Sequence, residues 1–256
     1  MNHTLNIIIP VLNEEKRLQK GIEETLRFLQ THKIPHILSI VDNGSSDSTP
    51  ILAQSLCKRF NSPALDSQIS SRLEYIRLEQ KGVGLSLRAA IKHNATRSNP
   101  CAFIGYMDID LSTDLQHLCE VYERLCNGAN IVVGSRLLQD SQVSGRSKKR
   151  EILSRMLNVL LQCVLKTTFS DAMCGFKFYQ ASIAQHLVAH CNEDTSWFYC
   201  AQILIIAEQQ GIKIEEIPVK WDDEPTHSKV KILSLSRIYL YQIWQLWLKR
   251  YRDKRG

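Results

Sequence analysis

The chain has 256 residues, of which 44% are hydrophobic and 23% are charged. This length fits one α/β domain with a small appendage, and the composition excludes collagen-like, low-complexity and largely disordered chains. The formal net charge of +6 at pH 7 is mild, so it carries information only where basic residues cluster. We therefore expect a globular protein that buries a core of its own.

Cysteine usage and the apolar segments indicate where the protein resides. The 8 cysteines include no CxxC pair, and several lie in apolar stretches, which is typical of reduced, buried thiols in a cytoplasmic protein. Residues 6–10 already have a strand pattern, so no signal peptide is expected. Residues 232–248, the longest apolar candidate, contain Arg237, Gln242 and Gln245 and fall short of the ~20 apolar residues of a membrane span.

The first half of the chain alternates between strand and helix patterns. Short β-branched apolar runs predict strands over residues 5–10, 37–41, 75–78 and 101–107, and helical patterns cover residues 13–29, 50–60 and 84–94. This alternation predicts a parallel sheet with right-handed crossovers and helices on its faces. In such sheets ligands bind beyond the carboxyl ends of the strands.

The second half is less regular. Its patterns predict helices over residues 115–125, 150–166, 181–190 and 198–210, strands over 131–133 and 214–220, a polar loop over 139–149 and a turn over 170–175. No internal repeat or long linker separates autonomous units. The expected organisation is one α/β domain over residues 1–231, followed by an amphipathic helix and a basic tail over residues 232–256.

Polar residues follow each of the four strands of the first half. They are Asn13-Glu14, Asp42-Asn43, Lys81-Gly82 and Asp108-Ile109-Asp110. Because the carboxyl ends of parallel strands meet at one edge of a sheet, we expect these groups to converge. Two carboxylates on alternate residues at a strand end suit a hard divalent cation that keeps coordination positions for substrate phosphates. Asp108 and Asp110 therefore predict a metal and diphosphate site.

The loop over residues 42–49 allows two interpretations. Asp42 is able to accept a hydrogen bond from a ribose or a base, and the turn frees N–H groups near a helix start, where phosphates are favoured. Alternatively, Asp42 and Asp47 only cap turns. The Gly-rich segment over residues 80–84 matches neither GxGxxG nor GxxxxGK, which excludes a Rossmann dehydrogenase and a P-loop NTPase.

Several short motifs occur in a fixed order along the chain. They are PVLNE at residues 10–14, VDNGSSDST at 41–49, KG at 81–82 and DID at 108–110. In this order they resemble the family 2 glycosyltransferases of GT-A fold. The later motifs VGSR at 133–136, SDAMCGFKFY at 170–179 and EIPVKW at 216–221 narrow the resemblance to the dolichyl- and polyprenyl-phosphate sugar synthases, and to their glucosyltransferase branch more than to the mannosyl one.

The resemblance implies a GT-A fold, which is a Rossmann-like, mostly parallel sheet flanked by helices, and an inverting enzyme that uses a nucleotide sugar such as UDP-glucose. The implied nucleotide-binding residues are Pro10, Leu12, Glu14, Asp42, Lys81 and, in a loop that covers the diphosphate, Lys229. Asp108 and Asp110, with Ser112 as a further ligand, would bind Mg²⁺ or Mn²⁺. Together with Arg136, the two aspartates are expected to carry catalysis.

The resemblance also implies a polyprenyl or dolichyl phosphate acceptor on the cytoplasmic face of a membrane, with no nucleic acid as partner. The family's phosphate-binding positions match Arg136, Arg150 and Ser154. Five basic residues lie within residues 146–155, which suits a phosphate, although a solvated charged face is the alternative. Since the second pKa of a phosphate monoester is ~6, such an acceptor is largely ionised near pH 7 and requires no general base.

Departures from the family concern the acceptor side. Cys200 and Gln202 stand where the glucosyltransferase branch has acidic residues, and Asp223 stands where an arginine is expected. A glycan or protein hydroxyl is therefore an alternative acceptor, and it would require a base, for which Asp171 or Asp194 is the candidate. A nucleotide-sugar-binding module without catalysis is the other alternative.

The C-terminal segment also allows two interpretations. Residues 232–248 mix aromatic and apolar side chains with polar ones, and a basic tail follows at residues 249–255. This pattern is typical of a helix that lies on an anionic membrane surface. Alternatively, the helix packs on the catalytic domain and the tail is solvated. Any membrane contact is expected to be peripheral.

Overall fold

The computed structural model describes residues 3–61, 71–223 and 232–253, and within them a mixed seven-stranded sheet lies between two layers of helices. The strands are β1 (Leu5–Val11), β2 (His36–Asp42), β3 (Ser71–Arg77), β4 (Phe103–Met107), β5 (Ile131–Ser135), β6 (Gln142–Ser144), β7 (Phe176–Gln180), β8 (Ile214–Pro218) and β9 (Lys220–Asp222). The helices are α1 (Leu18–Thr31), α2 (Thr49–Phe60), α3 (Val83–Ala95), α4 (His117–Cys126), α5 (Lys148–Leu165), α6 (Ala181–His190), α7 (Tyr199–Gln209) and α8 (Ile232–Asp253).

The large sheet has the strand order β3-β2-β1-β4-β7-β5-β8, and β3, β2, β1 and β4 run parallel to one another. Successive residues of β1 face two different cores: Ile8 packs in the core formed with α3 and α7, whereas Ile7 and Ile9 pack in the core formed with α1 and α4. Because helices cover both faces, the inner strands β1, β2 and β4 are mainly apolar, whereas the edge strand β3 alternates between apolar and polar residues. The predicted fold class, a mostly parallel sheet flanked by helices, is confirmed.

The sequence patterns miss β7. This strand lies between β4 and β5 and runs antiparallel to both, where sequence analysis has only a turn followed by a helix. Phe176 and Phe178 face one core and Tyr179 the other, and Lys177 between them is fully buried. A lysine at the second position of a five-residue strand interrupts the apolar run on which strand prediction depends.

Two further predictions are wrong in the region between β5 and α8. The polar loop predicted over residues 139–149 contains β6, which is exposed and therefore has no apolar pattern, and β6 pairs in parallel with β9. The strand predicted over residues 214–220 is two strands. β8 ends at Pro218, which has no N–H to donate, and β9 then leaves the large sheet to pair with β6.

α1 and α5 begin at other residues than the sequence predicts. α8, the last helix, packs on the domain. α1 begins at Leu18 rather than near Asn13, because Asn13 is left-handed with φ 56° and residues 15–17 form a turn. α5 begins at Lys148 instead of residue 150, after Ser147, whose side chain accepts a hydrogen bond at the N-cap. Ile243 and Leu246 of α8 are buried in the core beside α7, so this helix is anchored on the domain.

Neither a membrane span nor a disulfide is found in the part of the chain that the structure describes. Every helix there is too short or too polar to cross a bilayer. All 8 cysteines are free thiols, of which three are buried, four are half-buried and Cys163 is exposed.

Candidate active site

The loops that follow β1 and β2 are locked together by short polar side chains. Asn13 is left-handed, its Oδ1 accepts a hydrogen bond from the N–H of Ser46 at 2.8 Å, and its own N–H donates to the Oγ of Ser45 at 2.9 Å. The N–H of Glu14 donates to the Oγ1 of Thr49 at 2.8 Å. These bonds hold the two predicted nucleotide-binding loops in contact at the carboxyl ends of their strands.

Asp42 is fully buried at the end of β2. Its Oδ1 accepts a hydrogen bond from the N–H of Ser45 at 2.8 Å, and its Oδ2 accepts one from the hydroxyl of Tyr75 at 2.8 Å, with Arg77 at 3.6 Å. Asp47 accepts from the first N–H of α2. Both aspartates therefore have the turn-capping role that was the alternative interpretation, and a nucleotide contact by Asp42 stays a prediction.

Arg17 connects the β1 loop to the predicted metal site. Its Nε and one terminal amino group donate to the two carboxylate oxygens of Glu14, both at 2.8 Å. The other amino group lies 3.9 Å from the Oδ2 of Asp110. The sequence predicts nucleotide binding for Glu14 and metal binding for Asp110. Both carboxylates lie near the guanidinium group of Arg17. Sequence analysis missed Arg17, although its position three residues after Glu14 was a usable signal.

Asp108 and Asp110 follow β4 at the same edge of the sheet. Burial and the charge of Asp110 raise the pKa of Asp108 to about 7, and Arg136 and Lys177 oppose that rise. The carboxylate of Asp108 lies against Gly175, where an added Cβ would sit 2.1 Å from its Oδ2. Asp108 keeps this position because residue 175 has no side chain. Two neighbouring carboxylates in a partly buried position are an arrangement that a divalent cation stabilises.

The donor atoms at this position fit Mg²⁺ or Mn²⁺. The protein offers carboxylate oxygens, and Ser112, whose N–H donates to the Oδ1 of Asp110 at 3.0 Å, follows in the same buried turn. Over residues 3–61, 71–223 and 232–253 no group of three or more His, Cys, Asp or Glu side chains is placed to hold a metal ion. The protein would therefore supply two carboxylates and leave the remaining coordination positions to a diphosphate and to water.

Arg136 and Asp171 form a buried ion pair. The Nε and one terminal amino group of Arg136 donate to the two carboxylate oxygens of Asp171 at 2.8 and 3.0 Å, and the side chains are 7% and 0% exposed. Burial works to raise the pKa of Asp171, but Arg136 overrides it and lowers that pKa to about 2. The guanidinium also lies 4.8 Å from the ring centre of Trp221. Asp171 is thus held as a counter-ion.

Lys177 is a second residue that sequence analysis left without a role. It is fully buried on β7, its Nζ donates to the carbonyl of Cys174, and it lies 5.6 Å from the ring centre of Tyr106. Its charge lowers the pKa of both Asp108 and Asp171. The signal that could have identified Lys177 was a single lysine among the aromatic residues Phe176, Phe178 and Tyr179.

The predicted acceptor residues lie on and before α5. Arg150, in the first turn, donates a hydrogen bond from a terminal amino group to the Oδ2 of Asp223. Arg146 is half-buried, and burial together with the nearby charges of Arg136 and Arg150 lowers its pKa. Ser154 is buried, and its hydroxyl has no hydrogen-bond partner among the described residues. We call Arg136, Arg146, Arg150, Asp171 and Asp223 the arginine cluster.

The structure places the remaining predicted residues as follows. Pro10 is half-buried in β1, Leu12 is exposed just after it, and Lys81 is exposed before α3. Within the described residues no hydrogen bond or ion pair joins Lys81 to the carboxylates, and its nucleotide contact stays a prediction. Lys229 lies outside the described residues. The carboxylate of Asp194 accepts bonds from the N–H and hydroxyl of Ser196, at 2.8 and 2.9 Å.

Cys200 and Gln202, the two residues of α7 that depart from the expected family pattern, are buried. Cys200 is 2% exposed, and the charge of Lys177 acts to lower the pKa of its thiol, although burial raises that pKa to about 11. Gln202 is fully buried, and neither its amide oxygen nor its amide nitrogen has a hydrogen-bond partner within the described residues.

The fold and the site define a glycosyltransferase of the GT-A class. Glucosyl-3-phosphoglycerate synthase from Mycobacterium tuberculosis, solved with Mn²⁺, UDP and glucosyl-3-phosphoglycerate, matches with a TM-score of 0.67 and 15% identity over 95% of this chain and 80% of that chain. At this identity the match concerns the fold alone. The model of the glycosyl transferase family 2 matches residues 6–188. The chain belongs to glycosyl transferase family 2, which confirms the family that the motifs predict.

Proteins with related sequences are also glycosyltransferases. The glycosyltransferase AglD of Haloferax volcanii is 28% identical over 248 residues, which are 94% of this chain and 37% of AglD. A dolichyl-phosphate beta-glucosyltransferase of Dictyostelium discoideum is 26% identical over 269 residues, with 96% of this chain and 77% of that protein covered. The chain thus spans little more than a third of AglD and about three quarters of the second relative.

Proposed function

We propose that the protein transfers a sugar, with inversion, from a UDP-sugar to a polyprenyl or dolichyl phosphate, using Mg²⁺ or Mn²⁺. Similarity to a dolichyl-phosphate beta-glucosyltransferase supports the acceptor, and the Mn²⁺ and UDP bound by a protein of the same fold support the donor and the metal. The observation that carries the proposal is that residues 171–175 touch both predicted sites, because Asp171 pairs with Arg136 and Gly175 lies against the carboxylate of Asp108.

The proposed reaction is a displacement at the anomeric carbon. A phosphate oxygen of the acceptor forms the new bond while the bond to the diphosphate breaks, and the electron pair leaves with UDP. A divalent cation, when bound, supplies positive charge to the departing diphosphate. Asp171 engages two of the three nitrogens of the Arg136 guanidinium, and no described residue bonds the third. That nitrogen is positioned to hold and orient a phosphate oxygen.

A hydroxyl acceptor fits the site less well, because neither candidate base is free to act. Asp171 is tied to Arg136 and its pKa is lowered to about 2, far from the pKa near 7 that suits a general base. The carboxylate of Asp194 caps the turn before α7 through Ser196. A phosphate monoester, whose second pKa is ~6, needs no such base.

We place the protein at a membrane surface because of two adjacent helices. On α5, apolar side chains on one face are exposed: Ile152, Met156 and Val159. On α8, which packs on α5, further apolar side chains are exposed: Leu240, Tyr241 and Trp244. Exposed apolar side chains on two helices that pack together are typical of an interaction site. Because α5 also carries Arg150 and Ser154, a lipid could present its phosphate there while its chain stays in the bilayer.

The acceptor is tested by transfer assays with labelled UDP-glucose and Mn²⁺, and with other UDP-sugars in parallel. Undecaprenyl phosphate and dolichyl phosphate are compared with the corresponding free alcohols. We expect transfer to a phosphate and none to an alcohol, since the alcohol is not ionised near pH 7. Transfer to an alcohol or to a glycan would favour the hydroxyl alternative. Binding of UDP-glucose without transfer to any acceptor would favour the binding module.

The membrane surface is tested by sedimentation with vesicles of phosphatidylcholine and phosphatidylglycerol. Trp244→Glu places a charge on the exposed face of α8 and should lower the bound fraction severalfold. Ile51→Glu is the matched control, because Ile51 is also an exposed apolar residue, at 75%, but lies on α2. Equal loss of binding in both variants, or in neither, would contradict the assignment of this surface.

A further inference from the structure

The Arg150 and Asp223 pair combines an exposed side chain with one that is largely buried. The Arg150 side chain is 44% exposed in the first turn of α5, whereas that of Asp223 is 13% exposed. The N–H of Asp223 donates to the carbonyl of Ser144 at 3.1 Å. The carbonyl of Asp223 lies under Gly145, which has φ +70° and whose added Cβ would be 2.1 Å from that oxygen. A ligand that separates the pair would therefore move Arg150 and leave Asp223 in place.

Asp223 is also connected to the predicted metal site through the backbone. The N–H of the preceding residue, Asp222, donates to the carbonyl of Ser112 at 2.8 Å. Trp221, one residue earlier, bridges to Thr113 and lies against Arg136. Residues 221–223 thus run from the predicted metal site to the arginine cluster. The carboxylate of Asp223 lies at the arginine cluster.

The charges of the arginine cluster do not balance. Its three guanidinium groups are accompanied by two carboxylates, those of Asp171 and Asp223. Among the described residues, Arg146 makes no ion pair and bonds only weakly to the carbonyl of Arg150, at 3.4 Å. One positive charge is left over, whereas a phosphate monoester near pH 7 carries close to two negative charges. Release of Arg150 from Asp223 would provide the second positive charge.

We propose that Asp223 is an internal counter-ion that competes with the phosphate of the acceptor for Arg150 and thereby lowers the affinity for that acceptor. This inference rests on the proposed function. A phosphate offers three strong acceptor oxygens and nearly twice the charge of one carboxylate, so it is the stronger partner for Arg150. An exposed ion pair is weak enough to exchange. Asp223 is therefore a positioning residue that acts through Arg150.

The first test is Asp223→Asn, which removes the charge and keeps the size. With UDP-glucose and Mn²⁺, we expect the KM for citronellyl phosphate, a short prenyl phosphate, to fall about two- to fivefold. The KM for UDP-glucose should not change. Asp222→Asn is the matched control, because the Asp222 carboxylate accepts from the hydroxyl of Ser144 at 2.7 Å and from no arginine among the described residues. An unchanged KM, or an equal fall in the control, would overturn the inference.

The second test asks whether Asp223 acts through Arg150. In an Arg150→Gln background, Asp223→Asn should no longer change the KM for citronellyl phosphate, because the shared partner is gone. A persistent effect would show that Asp223 acts on the phosphate by another route and would overturn the inference. Asp223→Ser provides the same comparison if the Asn variant lowers the temperature of thermal unfolding.

A binding titration separates this inference from the proposed function. Citronellyl phosphate is titrated into the protein with UDP and Mn²⁺, and the Kd is compared between the wild type and Asp223→Asn. If the wild type transfers no sugar to a prenyl phosphate, the proposed function fails, while a lower Kd in the variant still supports the counter-ion. If transfer occurs and both the KM and the Kd are unchanged in the variant, the inference fails and the proposed function stands.

Discussion

The proposed donor side and the proposed acceptor side of the site are built from different interactions. On the donor side, short side chains bond backbone N–H groups across two loops, as Asn13 does to Ser46. On the acceptor side, arginines from a loop and a helix start pair with carboxylates that are distant in sequence, as Arg136 does with Asp171. Bonds of the first kind follow from the path of the backbone, whereas ion pairs depend on individual charges.

This difference explains where the chain departs from its family. The donor loops carry the motifs that resemble the family, and a change there would leave backbone N–H groups without their side-chain partners. Asp223 stands in the arginine cluster, where one charged side chain is exchanged for another without rebuilding the backbone. Cys200 and Gln202 are buried in α7 and replace expected acidic residues with neutral ones. The donor site thus follows from the fold, and acceptor affinity from single residues.

The largest effect is expected when the buried ion pair of Arg136 and Asp171 is broken. Asp171→Ala leaves Arg136 charged and buried without a partner, so we expect the free energy of unfolding to fall by about 3–5 kcal/mol. Urea denaturation measures it. Asp223→Ala, which breaks the exposed pair, should cost at most about 1 kcal/mol. Similar losses in both variants would show that burial does not distinguish the two pairs.

The next test is the carboxylate pair on the donor side. Asp110→Asn removes a charge that a metal-bound diphosphate needs, and we expect kcat/KM to fall about a hundredfold to a thousandfold while the temperature of unfolding is kept. Turnover of UDP-glucose and Mn²⁺-dependent binding of UDP are the measurements. Asp140→Asn, on an exposed loop, is the control. Full activity of the Asp110 variant would remove the basis for the metal site.

A smaller effect is expected at Gly175. Gly175→Ala places a methyl group where the carboxylate of Asp108 lies, and that carboxylate is the flexible end of its side chain, so the fold should persist. The displaced ligand should weaken Mn²⁺ binding in the presence of UDP about tenfold to a hundredfold. At Gly128, which has φ +94°, an added Cβ meets no atom within 4 Å. Gly128→Ala strains the backbone and should lower the temperature of unfolding, but it should leave Mn²⁺ affinity unchanged. Normal affinity in both variants would contradict the prediction.

The smallest effect concerns acid stability. The pKa of Asp171 is lowered from an ordinary 3.8 to about 2 in the folded protein, so its pairing stabilises the fold above about pH 4 and is lost as the pH falls towards 2. The difference in unfolding free energy between the wild type and Asp171→Asn should narrow by about 2 kcal/mol from pH 5 to pH 2. Denaturation at several pH values measures it, and a constant difference would be contrary to this expectation.

The donor side was the part that the sequence could predict. β1, β2 and β4 are mainly apolar, and Asp42 and Asp108 come at or directly after the ends of their strands. Local pattern and the rule that parallel strands share an edge were therefore sufficient to bring the loops together. The fold was needed to reveal Gly175 as the neighbour of Asp108.

The acceptor side needed long-range information. Arg150 and Asp223 are 73 residues apart, and nothing local to either residue indicates the other. β6 is three exposed residues without an apolar period, so the segment that carries Asp223 past the site was not visible in the sequence. Lys177 was hidden for a related reason, because its burial depends on strands that come from distant parts of the chain.

The antiparallel direction of β7 has a consequence for protein engineering. Residues 170–175 lie at the site because they come just before β7, which runs antiparallel to its neighbours. The loops of the donor side come just after β1, β2 and β4. Gly175 and Lys177 serve the site, while Phe178 and Tyr179 fill the two cores, within a few consecutive residues. A chimera that imports this segment from a relative should therefore be joined after Gln180, because a crossover at Gly175 would combine one parent's loop with the other parent's strand.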